Sequence, residues 1–166
     1  AMRLKELPGL CRAAGMPAVA VTDTNNMFAA LEFSVSAAGA GIQPIMGCQV
    51  DLAYADTAPG ERAVPPAPIV LLAQNEQGYE HLMKLNSCLY LRGDGDLPHV
   101  TRTELAQHSA GVICLTGGPD GPIGRQLRAG GGTGGRAGPD LMGFLDLVAL
   151  ATVADVAPLV GLNRAF

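Results

Sequence analysis

Apolar residues along the chain fall into two alternating patterns, stripes at helical spacing and short unbroken runs. Leu4, Leu7, Cys11 and Ala14 recur at intervals of three and four, with Gly15 as a stop. This spacing predicts a first helix in which Pro8 is tolerated close to the start. Pro17 to Val21 is a short apolar run ending in Thr22-Asp23, the pattern of a buried strand. Met27, Phe28, Leu31, Val35 and Ala38 then share one helical face, closed by Gly39 and Gly41, and such a stripe is expected to face a core. Ile42 to Leu52 is again strand-like, and the four prolines between Pro59 and Pro68 mark a surface loop.

The alternation repeats. Ile69 to Ala73 has strand length, and a helix is expected from about Glu76 with Tyr79, Leu82, Met83 and Leu89 inward. Gly93-Asp94-Gly95-Asp96 breaks it. Thr101 to His108 is a short helix in which Thr101 and Glu104 have the spacing of a capping box. Gly111 to Leu115 is a further apolar run, turned by Thr116-Gly117-Gly118-Pro119. Apolar strands alternating with helices predict an α/β fold, a parallel sheet covered by helices. Six of the nine residues from Gly130 to Gly138 are glycine, so 130–139 is expected to link rather than pack. Beyond it Leu141, Phe144, Leu145, Val148 and Thr152 define one more amphipathic helix, and the uncapped end at Phe166 has the look of a truncation.

Composition narrows the function. Of 166 residues, 48% are hydrophobic and 16% charged, enough for a core and too few charges for a disordered tail. A net charge of −4 argues against wholesale phosphate neutralisation, and 4% aromatics without Trp argue against a stacking platform for single strands, so direct DNA binding is not expected. The longest apolar runs are far too short to span a bilayer, and no secretory segment opens the chain. Cys11, Cys48, Cys88 and Cys114 form no CxxC pair and sit among apolar neighbours. Buried, inert thiols in a reduced cytoplasmic setting are the expectation.

In such a layout ligands gather at the carboxyl ends of strands, which singles out Asp23, Gln49, Asp51 and Thr116. Asp23 offers a hard oxygen for a metal, or a cap for a helix beginning near Asn25 or Asn26; composition favours the cap. His81 is expected at the surface, His99 in a loop as a ligand or base, and His108 at a helix end where the dipole favours a cation. No HxH, HExxH or GxSxG occurs, and the glycine-rich stretch lacks the GK[ST] ending of a phosphate loop.

The string VAVTDTNNMFAALEFSVSAAGAGIQPIMGCQV, from Val19 to Val50, resembles the polymerase-and-histidinol-phosphatase (PHP) family, in the form carried at the amino terminus of bacterial DNA polymerase III alpha subunits. IVLLAQNEQGYEHLMKLNS and HSAGVICLTGGPDGPIGRQL extend the resemblance over residues 1–129. It implies a βα barrel, here lacking its first strand, with a metal cluster at the strand ends of active members. Asp23 matches the family's Asp, whereas Thr24 stands at the place of its His and Gln49 at the place of its Glu. A hydroxyl and an amide do not replace an imidazole and a carboxylate as ligands. The resemblance therefore implies a non-catalytic partial scaffold in DNA replication, with the rest of the polymerase and its proofreading subunit as partners. Zn, Mn or Mg would bind weakly or not at all.

DLMGFLDLVALATVADVAPLVGLNRAF, residues 140–166, resembles a segment of single-strand-specific DNA exonucleases of the DHH phosphoesterase family. By that resemblance Asp155 is a metal ligand, but the Asp-His-His triplet is missing. Two other readings remain open at the level of sequence. One is a residual metal-dependent phosphoesterase using Asp23, His99 and Asp155. The other is an engineered or selected chimera, self-associating or closed by its own tail helix.

Overall fold

In the computed structural model, which describes residues 4–54, 64–91 and 97–130, the two strands expected near the amino terminus form and pair in parallel. These are β1 (Ala18–Thr24) and β2 (Gln43–Ala53), joined through α2 (Ala30–Gly39). Ahead of them α1 (Leu7–Ala13) carries Pro8 in its first turn, where a missing N–H costs nothing, and stops before Gly15 at φ 69°. β3 (Ala67–Ala73), α3 (Glu76–Leu91), β4 (Val100–Thr101), α4 (Arg102–Gln107) and β5 (Val112–Leu115) follow. A 3-10 turn over Gly118–Asp120 leads into α5 (Pro122–Gly130), a helix that the periodicity does not announce.

The fold is mixed α/β, and the sheet departs from the expected parallel one. Its order is β1-β2-β3-β5, with β4 adding two residues beside β2, and β3 runs antiparallel to both β2 and β5. β3 returns alongside β2 in the opposite direction, an arrangement that needs no crossover of the kind a parallel neighbour requires.

Register and alternation sort the sheet into two unlike faces. Val19 and Val21 lie on the same side as Met46, Cys48, Val50 and Leu52, Ile69 and Leu71, and Val112 and Cys114. This side packs against the helices. Cys11, Phe33, Ala37 and Ile42 form one core with Val19, Val21 and Met46. Leu82, Leu85 and Leu89 of α3 form the other with Cys48, Val50, Ile69, Leu71 and Val100. The opposite side carries Ala20, Ile45, Gln49, Val70, Ile113 and Leu115, all half-buried, and none belongs to either core. The sheet is covered on one face only among the described residues.

Two helical faces differ from expectation. α2 buries Ala30, Phe33 and Ala37, and the stripe of Phe28, Leu31 and Val35 turns outward at 90%, 77% and 68% exposure. Small residues decide this, because Ala30 and Ala37 on either side of Phe33 let the helix approach the strands. In α3 Leu82 and Leu89 point inward as expected, but Leu85 is buried in place of Met83, which is 44% exposed. The capping box of α4 forms in full. Thr101 Oγ1 accepts from the Glu104 amide at 3.2 Å while Glu104 Oε2 accepts from the Thr101 amide at 2.8 Å. Segments 1–3, 55–63, 92–96 and 131–166 lie outside the described residues, among them the first half of the proline loop, the Gly93–Asp96 break, nearly all of the linker and the tail with Asp155.

Candidate functional site

The carboxyl ends of β1, β2 and β5 share one rim of the sheet, where the candidate residues were expected to gather. The loop that follows β1 is fixed from three elements. Asn25 adopts φ 57°, a left-handed conformation that Asn tolerates better than most residues. Its amide donates to the Gln49 carbonyl at 2.8 Å, and its own carbonyl accepts from Tyr90 Oη at 2.6 Å. Asn26 closes a turn on both sides, donating to the Thr24 carbonyl at 2.9 Å and accepting from the Phe28 amide at 3.2 Å. Beneath the loop, Cys48 Sγ lies 3.4 Å from the carbonyls of Asp23 and Asn26, and Asn86 Nδ2 points to the sulfur at 3.6 Å.

Asp23 therefore does not cap α2, which begins at Ala30 with Ala29 as an N-cap that supplies no side-chain bond. The register pairs Asp23 with Cys48 and Thr24 with Gln49. Strand alternation then sends Asp23 to the helix-covered face and Thr24 with Gln49 to the open one. Burial raises the Cys48 thiol above its usual range against the lowering effect of Asn86 and the loop backbone, and the Asp23 carboxylate adds to the rise. Cys48 is a protonated packing group here. Cys114 is likewise pushed up to about 11 by burial. All four cysteines are free thiols, with Cys11 and Cys48 buried and Cys88 and Cys114 half-buried.

Gln49 and Thr116 do come together. They line an open cleft of about 540 Å³ with Pro68, Val70, Leu115, Gly117, Gly118 and Asp120. Asp51, two residues along β2, faces Pro68 in the register. Gly117 takes φ 74° at the cleft wall, where a Cβ would run into the Pro68 carbonyl oxygen, so the turn after β5 requires glycine there. A second open cleft of about 590 Å³ lies at the other end of the same face, with Ile45, Leu72 and Ile113 in its lining.

The histidines are elsewhere. His81 is half-buried rather than fully at the surface, with Nδ1 2.8 Å from the Ala110 carbonyl and its ring centroid 5.3 Å from that of His108. His108 is the C-cap of α4, and His99 Nδ1 lies 2.9 Å from the Leu97 carbonyl. The sequence did not mark Asn25, Asn86 and Tyr90 as the side chains that hold the β1 loop. Asn25-Asn26 is a turn signal, but the reach of Tyr90 across 65 residues has no local signature.

A metal centre of the kind the family resemblance implies needs several imidazoles and carboxylates converging on one point. The open face instead offers the Gln49 amide and the hydroxyls of Thr24 and Thr116, with Asp23 turned away. Among the described residues no group of three or more His, Cys, Asp or Glu is placed to hold a metal ion. The donors among the described residues do not fit the group. No described helix is long and apolar enough to cross a membrane.

The chain is 40% identical over 132 residues to DNA polymerase III subunit alpha of Caulobacter vibrioides, covering 78% of the chain and 12% of that protein. It is 37% identical over 121 residues to the same subunit of Helicobacter pylori strain J99, covering 70% of the chain and 9% of the relative. The chain thus spans about a tenth of the length of these relatives. Among solved structures, one from Bifidobacterium adolescentis described as a metal-dependent phosphoesterase matches 54% of this chain and 28% of its own, at 12% identity and a TM-score of 0.39. The PHP domain model matches residues 1–155, running across the glycine-rich stretch into the tail. On that match, spanning nearly the whole sequence, the chain belongs to the PHP domain family.

Proposed function

We propose that this chain is a non-catalytic PHP-type scaffold of a cytoplasmic replicative DNA polymerase, serving the assembly of the polymerase and of its proofreading subunit rather than phosphoester chemistry. The observation that carries the reading is the split between Asp23, facing Cys48, and the neutral pair Thr24 and Gln49 on the open face. A pocket of amides and hydroxyls neither neutralises a metal ion nor supplies a general base near neutral pH. The helix-bearing side of the sheet, by contrast, carries exposed apolar side chains suited to protein contact: Leu31 and Val35 on α2 and Phe28 in the turn before it. Residues 140–166 join this scaffold as a DHH-exonuclease-like segment whose Asp155 lacks the triplet needed for a complete site.

Calorimetric titration with zinc and with manganese, alongside hydrolysis of bis-p-nitrophenyl phosphate, tests the catalytic half of the proposal. The expected result is no stoichiometric binding and no metal-dependent turnover. Stoichiometric binding with turnover, both removed by Asp23→Ala, would overturn it. The scaffold half is tested by adding the chain to a polymerase III alpha relative deleted of its own PHP domain. Association with a rise in that protein's melting temperature is expected, and its absence counts against the reading.

A further inference from the structure

We propose that His81 and His108 form a two-histidine site for a late divalent transition-metal ion, copper(II) before zinc, where α3 meets the end of α4. The pair sits near the start of β5, at the opposite end of that strand from Thr116 and the rim with Gln49. The fold brings the two rings together: their centroids are 5.3 Å apart and their planes are tilted by 52°. With metal–nitrogen bonds of about 2.0 Å, two imidazoles on one ion have centroids about 4.5–5.5 Å apart. The observed separation falls within that range.

His81 is oriented from behind. Its Nδ1 lies 2.8 Å from the Ala110 carbonyl, and a carbonyl oxygen only accepts, so Nδ1 carries the proton. In the neutral ring the lone pair is then on Nε2. A backbone carbonyl behind one ring nitrogen is the usual device that aims a metal-binding histidine and makes its other nitrogen a better donor. The carbonyl itself is held in a closed turn. The Val112 amide donates to the Ser109 carbonyl at 3.0 Å, and the Gln74 amide donates to the Gly111 carbonyl at 2.9 Å.

His108 comes from the other element. Its amide donates to the carbonyls of Glu104 at 3.1 Å and Leu105 at 3.2 Å, which fixes it as the C-cap of α4. Its ring lines an open cleft of about 630 Å³ with Glu80, Met83, Lys84, Ser87 and Cys88, enough room for the waters that complete the ion's coordination. Both histidines are half-buried and belong to neither core, so the His108 ring can turn toward the ion without repacking the interior. Among the described residues no third His, Cys, Asp or Glu joins the pair. Two imidazoles alone therefore set the ligand class. Imidazole suits late first-row ions, and affinity along that row peaks at copper(II). A pair that holds copper(II) holds zinc too weakly for stoichiometric titration, and manganese more weakly still.

One equivalent of copper(II) added to the full chain tests the site by electron paramagnetic resonance. The expected spectrum carries nitrogen splitting from two imidazoles. His81→Ala and His108→Ala should each abolish that splitting, and His99→Ala should leave it unchanged. Asp23→Ala should also leave it unchanged, which separates this site from any metal at the β1 rim. A spectrum without imidazole splitting overturns the proposal, as does splitting that persists in both the His81 and His108 variants. Should either variant lose its fold, modification of the unsubstituted chain by diethyl pyrocarbonate still decides. Copper(II) should protect His81 and His108 several-fold while His99 reacts as before. Equal modification of all three histidines with and without copper(II) overturns the proposal too.

Discussion

Gly78 in the first turn of α3 lies so close to Gly111 that a Cβ on the helix would run into the Gly111 carbonyl oxygen. The contact is held by Asn75, whose Oδ1 accepts from the Gly78 amide at 2.9 Å in the manner of an N-cap, and by the Gln74 amide, which donates to the Gly111 carbonyl at 2.9 Å. The end of β3, the start of α3 and the turn before β5 are thereby locked together. Gly78→Ala should overpack this junction and destabilise the chain by about 1–3 kcal/mol in urea denaturation. Gly39→Ala, with nothing near the added methyl, serves as the tolerated control.

Phe33 and Phe28 form a second diagnostic pair, because they lie near each other in sequence and differ from complete burial to 90% exposure. Phe33→Ala removes a side chain from the core against β1 and should cost about 3–5 kcal/mol. Phe28→Ala should change stability by less than about 0.5 kcal/mol. Chemical denaturation of the two variants under one set of conditions checks both values, and equal losses would contradict the observed facing of α2.

Thr101→Ala removes the side-chain acceptor for the Glu104 amide and releases the reciprocal bond to Glu104. The expected loss is about 1 kcal/mol. Thr101→Ser keeps the oxygen and should recover most of it, so the pair separates capping from β4 packing in the same melting experiment.

Cys114, raised by burial to about 11, supplies a pH dependence. A thiol whose folded pKa exceeds its unfolded value is held neutral by folding. Between the ordinary thiol value of 9.0 and about 11 the unfolded chain binds fewer protons than the folded one, so stability falls as pH rises through that window. Below it the group contributes no slope. Cys114→Ala should flatten the alkaline loss of melting temperature, and the native thiol should alkylate slowly at pH 8. Cys48, raised in the same direction, adds to the effect.

Local signals in the sequence were reliable where neighbours in the chain decide the outcome. Thr101 and Glu104 predict the capping box, Pro8 and Gly15 bracket α1, and apolar runs locate β1, β2, β3 and β5 within a few residues. The outward turn of Phe28, Leu31 and Val35 was not legible, because periodicity shows that a stripe exists without showing which side meets the sheet. Ala30 and Ala37 settle that through close approach, a property of the packed pair. The antiparallel β3 escaped for a similar reason: apolar strands look alike in either direction, and the connection between strands sets their sense. At the site, the identities of Asp23, Thr24 and Gln49 were plain, but their division between two faces follows from register, which only the paired strands reveal.

The strand order has a consequence for how the chain assembles. Going across the sheet from β1 through β2 and β3 to β5, each main strand meets its neighbour in the order of synthesis, with only the two-residue β4 set aside. Strand pairing can therefore advance from the amino terminus as the chain leaves the ribosome, each new strand adding to an edge already formed. Of the described pairings between the main strands, that of β3 with β5 waits longest, because α3, β4 and α4 are made in between. The penalty is that every stage short of the last presents a free β edge, and β1 retains one among the described residues after the others have paired.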